Sequence, residues 1–165
     1  MEFPYIAALM YGYDFHMQFY CDIIRGMEIL VIDGQGGGLG RSIIAALKKS
    51  IHSSRITAVG TNAMATSAMM KAGADQAATG ENPIIVASRN ADIIIGPLGI
   101  VVADAMLGEI TPRMALAIAD SRALRLLIPV NQCNNIVVGV RDRSLTEMIN
   151  EIVEHVVSLE TQKGL

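Results

Sequence analysis

The chain has 165 residues, 52% of them hydrophobic and 18% charged, with a formal charge of −3. It is therefore long enough for one domain with a sizeable core and too short for two ordinary ones. That charge, with no cluster of Lys or Arg, leaves no nucleic acid and no membrane among the expected partners, and no apolar run approaches the roughly 18 residues of a membrane span.

Residues 1–26 differ from the rest. All seven aromatic residues (Phe3, Tyr5, Tyr11, Tyr13, Phe15, Phe19 and Tyr20) lie in the first twenty positions and none follows. Glu2 and Asp14 do not fit a secretory signal. The segment reads as an N-terminal extension, either an accessory helix or upstream sequence added by an early start, ahead of a domain spanning residues 27–165. Cys21 and Cys133 lack the spacing of a disulfide framework or zinc site, which fits a reducing, cytoplasmic compartment.

Residues 28–33, EILVID, form a glycine-bounded apolar run expected of a strand buried on both faces of a parallel sheet. Ile43, Ile44, Leu47 and Ile51 then recur at helical spacing to about residue 52. A second strand is expected over residues 55–60 and a Met/Ala-rich helix over residues 62–72, closed by Gly73. After a short segment at residues 75–78, Pro83 suits the first turn of a helix to about Asn90. Residues 92–96 are another buried strand, and a helix is expected over residues 100–107. Thr111 and Pro112 supply an N-cap and first-turn proline for a further helix.

A fifth strand is expected over residues 125–130. Residues 136–140 follow too closely for a helical crossover, so they are expected to pair antiparallel or at an edge. Ser144 and Glu147 form a capping-box pattern ahead of a final helix carrying Leu145, Met148, Ile149, Ile152, Val153 and Val156. Strands alternating with helices predict an α/β fold of Rossmann type: a doubly wound, mostly parallel sheet in three αβα layers. The low charge leaves apolar surface to cover, so a homo-oligomer is expected.

Between the first strand and helix lie Gly34, Gln35, Gly36, Gly37, Gly38, Leu39, Gly40 and Arg41, with five glycines in seven residues. Glycines let the backbone approach a ligand closely, and the free amides and positive end of the following helix attract a phosphate. A merely tight turn needs only one or two. The G-x-x-x-G-x-G spacing of Gly34, Gly38 and Gly40, with Leu39, resembles the cofactor turn of short-chain dehydrogenases over residues 28–47. That resemblance implies an NAD(P)-binding fold. The family's catalytic Tyr-x-x-x-Lys has no counterpart, because no tyrosine follows Tyr20. The second strand also ends in Gly60-Thr61-Asn62, without the acid that holds an adenosine ribose hydroxyl. Arg41 is either a partner for a 2′-phosphate, favouring NADP, or a solvent-facing helix residue. A P-loop fits less well, since Gln35 stands where its first glycine should be and Arg41 replaces its lysine.

The region from Met27 to about Val140 also resembles a bacterial family of small uncharacterised proteins, through VIDGQGGG, GTNAMATSAMMKAGA, ATGEN, IIIGPLGI, MLGEIT and LIPVNQCN. That resemblance implies a conserved domain without an assigned activity.

In open α/β sheets, ligands bind beyond the carboxyl ends of the strands. Those ends carry the glycine turn, Thr61 and Asn62, then Glu81 and Asn82, then Gly96, Pro97 and Gly99, and finally Asn131. Asp33 is placed to contact a ribose or metal, or to cap the glycine turn. Glu81 suits a general base, a ribose contact or a helix first turn. Cys133 reads as a nucleophile without a nearby histidine or as a small buried side chain, and Asp104 and Glu109 as solvated. The leading expectation is a nucleotide-binding protein with NAD(P) as cofactor and a small phosphate-bearing ligand as partner. The alternatives are an enzyme acting on a phosphorylated metabolite and an assembly subunit without a ligand.

Overall fold

The computed structural model describes residues 26–130, 137–140 and 143–164. Five strands, β1 (Glu28–Asp33), β2 (Arg55–Gly60), β3 (Gln76–Thr79), β4 (Ile93–Pro97) and β5 (Leu124–Ile128), form one parallel sheet in the order β3-β2-β1-β4-β5. The crossovers are α1 (Gly38–Ser50), α2 (Ala63–Lys71), α3 (Glu81–Asn90) and α4 (Pro112–Asp120), and α5 (Leu145–Gln162) closes the chain. The α/β three-layer fold expected from the sequence is the fold observed.

Period-two alternation of side chains along β1 divides the core into two halves. Ile29 and Val31 pack with Ile43, Ile44 and Leu47 of α1, Met69 of α2 and Ile149, Ile152 and Val156 of α5. Leu30 and Ile32 face the opposite way, against Ile84 of α3 and Met114 and Ile118 of α4. Asp33 lies opposite Gly60 and Pro97 opposite Ile128, which brings strand ends from different parts of the chain to one edge.

Local chemistry accounts for the helix starts. Asn62 caps α2 by accepting from Ala65 N–H at 2.9 Å. Thr111 caps α4 with Pro112 at its first position, and Ser144 and Glu147 form the capping box of α5. Ser88 on α3 is the exception to polar satisfaction: its Oγ is fully buried and has no hydrogen-bond partner among the described residues. Ser88→Ala should therefore stabilise the protein by about 1 kcal/mol, since it removes an uncompensated buried hydroxyl. Urea melts of the variant check this.

Asp75, just before β3, ties α1 to β2. Its carboxylate accepts from Lys48 Nζ and from Ile56 N–H, each at 2.7 Å. Partial burial pushes its pKa up, but those hydrogen bonds and the Lys48 charge outweigh it, so the pKa lies below the usual carboxylate value of 3.8. A lowered folded pKa means stability that is present above 3.8 and lost as pH falls through the lower folded value. Asp75→Asn should flatten the fall in stability below that pH, as measured by urea melts in an acid series.

Two expected elements do not form among the described residues. Residues 100–107 were expected to be a helix; a single 3-10 turn, Leu98–Val101, stands there instead, followed by a tight loop. The loop is closed by Asp104 N–H donating to Ile110 O at 2.8 Å, and Asp104, Met106, Leu107 and Gly108 take φ of 62°, 57°, 59° and 86°. Ile100, Ala105 and Ile110 are all buried in the same half of the core, an arrangement this loop satisfies. Residues 136–140 were expected to be a strand; Val137 to Val140 instead form a turn with Gly139 at φ 89°. Residue 136 and the expected site residue Asn131, with Cys133, lie outside the described residues, as do residues 1–25 of the N-terminal extension.

Candidate functional site

β1 is central. The chain leaves it towards α1 on one face, whereas after β4 the chain reaches α4 on the other. Divergence of neighbouring connections opens a crevice at the strand ends, where α/β sheets bind ligands. A cleft of about 260 Å³ lies there, lined by Asp33, the glycine turn, Pro97, Gly99, Met106, Val130 and Leu145.

The five glycines of the turn have different reasons to be there. Gly37, the N-cap of α1, has φ 68°, and a Cβ on it would sit 2.5 Å from Ala65 Cα. A Cβ on Gly34 would meet Met106, Glu109 and Thr61 within 3 Å, and one on Gly40 would lie 2.5 Å from Met69 Sδ. Backbone geometry thus requires glycine at Gly37, and neighbouring side chains leave little room for a Cβ at Gly34 and Gly40. Gly36 and Gly38 are exposed, neither has positive φ, and a Cβ on either would meet nothing within 4 Å.

The turn's amides divide in the same way. Asp33 accepts from Gly34 N–H at 2.8 Å and Gly40 N–H at 2.7 Å, Glu109 accepts from Gln35 N–H at 2.8 Å, and Gly37 N–H donates to Gly34 O. The Gly36 and Gly38 N–H groups donate to no described residue. Two exposed amides without a partner among the described residues therefore stand at or just before the positive end of a 13-residue helix.

Asp33 caps the turn. Burial drives its pKa above the ordinary value and the nearby Glu109 charge adds to this, while the Gly40, Gly34 and Leu39 amides work against it. Glu109 behaves oppositely. Burial raises its pKa, but hydrogen bonds from Thr61, Gln35 N–H and Asn62 outweigh that and leave it below 4.5. All three donors converge on Oε2: Thr61 Oγ1, Gln35 N–H at 2.8 Å and Asn62 Nδ2 at 3.1 Å. Asn62 also donates to Gln35 O at 2.9 Å, tying the end of β2 to the glycine turn.

Of the expected site residues, Asp33, residues 34–39, Pro97 and Gly99 line the cleft, Thr61 and Asn62 are joined to Glu109 beside it, and Gly40 is buried against Met69. Arg41 is exposed on the first turn of α1 and makes no ion pair among the described residues. Glu81 is directed elsewhere, accepting from Thr111 Oγ1 at 2.6 Å and pairing with Arg113 at 2.8 Å, so it links α3 to α4. Asn82 is exposed on α3. Gly96 serves the sheet, since a Cβ there would lie 2.5 Å from Ile32 O. Glu109 and Met106 were not anticipated. Glu109 sits 74 residues beyond Gln35, and no local pattern marks it.

The chain belongs to the family described as a domain of unknown function (DUF3842), whose model matches residues 28–161. No curated protein matches. Among solved structures, a dodecameric FMN-dependent UbiX-like decarboxylase from Escherichia coli O157:H7 is similar at 16% identity and a TM-score of 0.47, covering 84% of this chain and 96% of its own. FtsZ from M. jannaschii is similar at 16% identity and a TM-score of 0.39, covering 93% of this chain and 60% of its own. Among the described residues, no helix is long and apolar enough to cross a membrane.

Proposed function

We propose that the cleft between the ends of β1 and β4 binds a nucleotide-type ligand, with a phosphate on the Gly36 and Gly38 amides and NAD(P) the leading ligand. The observation that carries the reading is that among the described residues nothing within the chain calls for these two glycines. Neither is needed for positive φ or for packing among the described residues, their amides have no partner there, and at Gly38, the first residue of α1, exposed glycine costs stability relative to alanine. Close approach of a ligand to the backbone supplies the missing reason.

Asp33 does not oppose the phosphate as fully as its position suggests. Its two oxygens are engaged by the Gly34 and Gly40 amides, which offset part of its charge. The cleft, at about 260 Å³, is smaller than the ~300–1,000 Å³ usual for a whole ligand, so it suits a phosphate and sugar with the base lying outside. With no aromatic residue after Tyr20, that base would rest on aliphatic side chains such as Met106.

Calorimetry with NAD, NADP and ATP, with native mass spectrometry of co-purifying molecules, tests the proposal. Binding of at least one phosphate compound, competed by inorganic pyrophosphate, supports it; no binding by any of them overturns it. Self-association belongs to the same proposal, supported by the exposure of Leu107 (99%), Val138 (94%) and Leu116 (63%). Sedimentation at the monomer mass would remove that part.

A further inference from the structure

The two edges of the sheet are not alike. β3 has four residues, QAAT, with no large apolar side chain, whereas β5 reads LRLLI. A bare apolar edge invites pairing with another chain, and proteins blunt it with short strands, bulges or outward charges. The one charge on β5, Arg125, is engaged with the end of α4, donating to Ile118 O at 3.3 Å and to Ser121 O at 2.7 Å. Leu124 is left 48% exposed.

The backbone register shows what this edge can take. Leu124 N–H donates to Asp92 O, so the pairing from Ile93↔Leu124 to Pro97↔Ile128 points residues 124, 126 and 128 at β4 and residues 125 and 127 outwards. The outward Arg125 and Leu127 N–H groups have no partner among the described residues. The run stops on either side: Ala123 N–H is taken by Ser121 Oγ, and Pro129 has no N–H. A groove of about 560 Å³ follows the same edge on the α5 side, lined by Leu126, Ile128, Met148 and Ile152.

Resting on the self-association proposed above, we infer that β5 pairs antiparallel with β5 of a second copy about a two-fold axis at Leu126, joining the two sheets into one. A register centred there uses both outward residues: Arg125 and Leu127 of each copy exchange N–H and C=O with Leu127 and Arg125 of the other, and Leu126 faces itself. Period-two alternation puts Leu124, Leu126 and Ile128 on the face that carries the groove. The same register sets the exposed Leu124 opposite Ile128 of the other copy, so each strand brings an apolar side chain to the other's groove. The ladder and the side chain that covers the groove both come from β5 itself, which makes a second copy the occupant of this edge.

Amide hydrogen exchange on the full chain across a dilution series, with sedimentation of the same samples, tests this. The Arg125 and Leu127 amides should be protected in the associated form and lose protection on dilution, in step with the loss of mass. Protection that persists in the monomer means that the chain covers its own edge, and overturns the inference. Rapid exchange of both amides in the associated form overturns it too.

Two variants supply the second arm. Leu124→Lys changes a half-exposed side chain whose N–H stays bonded inside the sheet, so its urea midpoint should remain near the native value. Its association should weaken by about tenfold or more, because an unpaired ammonium would be buried against Ile128 of the other copy. Leu126→Cys should form an interchain disulfide through residue 126 on mild oxidation, identified by peptide mass spectrometry, since side chains facing each other across the axis stand about 4.5 Å apart at Cβ. Unchanged association in Leu124→Lys, or no link through residue 126 in an associated sample, overturns this inference alone. If the native chain sediments as a monomer at every concentration, the self-association reading falls with it.

Discussion

Gly38→Ala should fold at least as stably as the native protein and bind its nucleotide at least tenfold more weakly. The two effects have separate causes. A Cβ at residue 38 meets nothing within 4 Å, and the residue stands at the first position of α1 without positive φ. Alanine there restricts the unfolded chain and should add about 0.5 kcal/mol of stability. The methyl group, however, projects beside the unbonded amide that the proposal assigns to phosphate. Loss of one charge-assisted hydrogen bond is worth about 1.5–3 kcal/mol, a tenfold to hundredfold loss of affinity. Thermal melts and calorimetry on the same sample separate the terms. A glycine present for folding alone would show the reverse: lower stability and unchanged binding.

Gly37→Ala, one residue earlier, should do the opposite to the fold. Gly37 has φ 68°, and its Cβ would lie 2.5 Å from Ala65 Cα and 2.8 Å from Ala65 O, both backbone atoms of α2. Left-handed backbone costs a non-glycine residue roughly 1–2 kcal/mol, and overpacking adds about 1–3 kcal/mol because α2 must shift. A total of about 3 kcal/mol is a large part of the roughly 5–15 kcal/mol that holds a domain together. Urea denaturation should show a clearly lowered midpoint. A midpoint within a few tenths of a kcal/mol of the native value would show that the turn is not built as described. The contrast between adjacent glycines, one structural and one free, is the physical content of the glycine-rich turn.

Much of the architecture was legible because it rests on local rules. The apolar runs ending at Asp33, Gly60 and Gly96 read as buried strands and are strands, and Asn62, Thr111 with Pro112, and Ser144 with Glu147 each marked a helix start that the structure confirms. The glycine turn and the strand ends beside it could be placed at one edge because a parallel sheet puts every strand's carboxyl end on the same side.

What the sequence hid depends on contacts between distant residues. The apolar run from Ile100 reads as a helix, but Ile110 must reach the core beside Ile100, and the chain turns through left-handed backbone to bring it there. The result places Glu109 against Gln35, Thr61 and Asn62, and no spacing within residues 100–110 announces that. The same applies to Glu81. Its first-turn position was visible, but its pairing with Thr111 and Arg113 appears only once α3 and α4 are packed together.

The most direct measurement is an amide NMR titration of the ¹⁵N-labelled chain with NAD and, separately, with inorganic pyrophosphate. If the cleft receives a phosphate, the Gly36 and Gly38 amide protons should move downfield and saturate together. The Gly37 proton, already bonded to Gly34 O, should move far less. Saturating shifts that bypass residues 36 and 38, or a spectrum unchanged by either compound, would contradict the account.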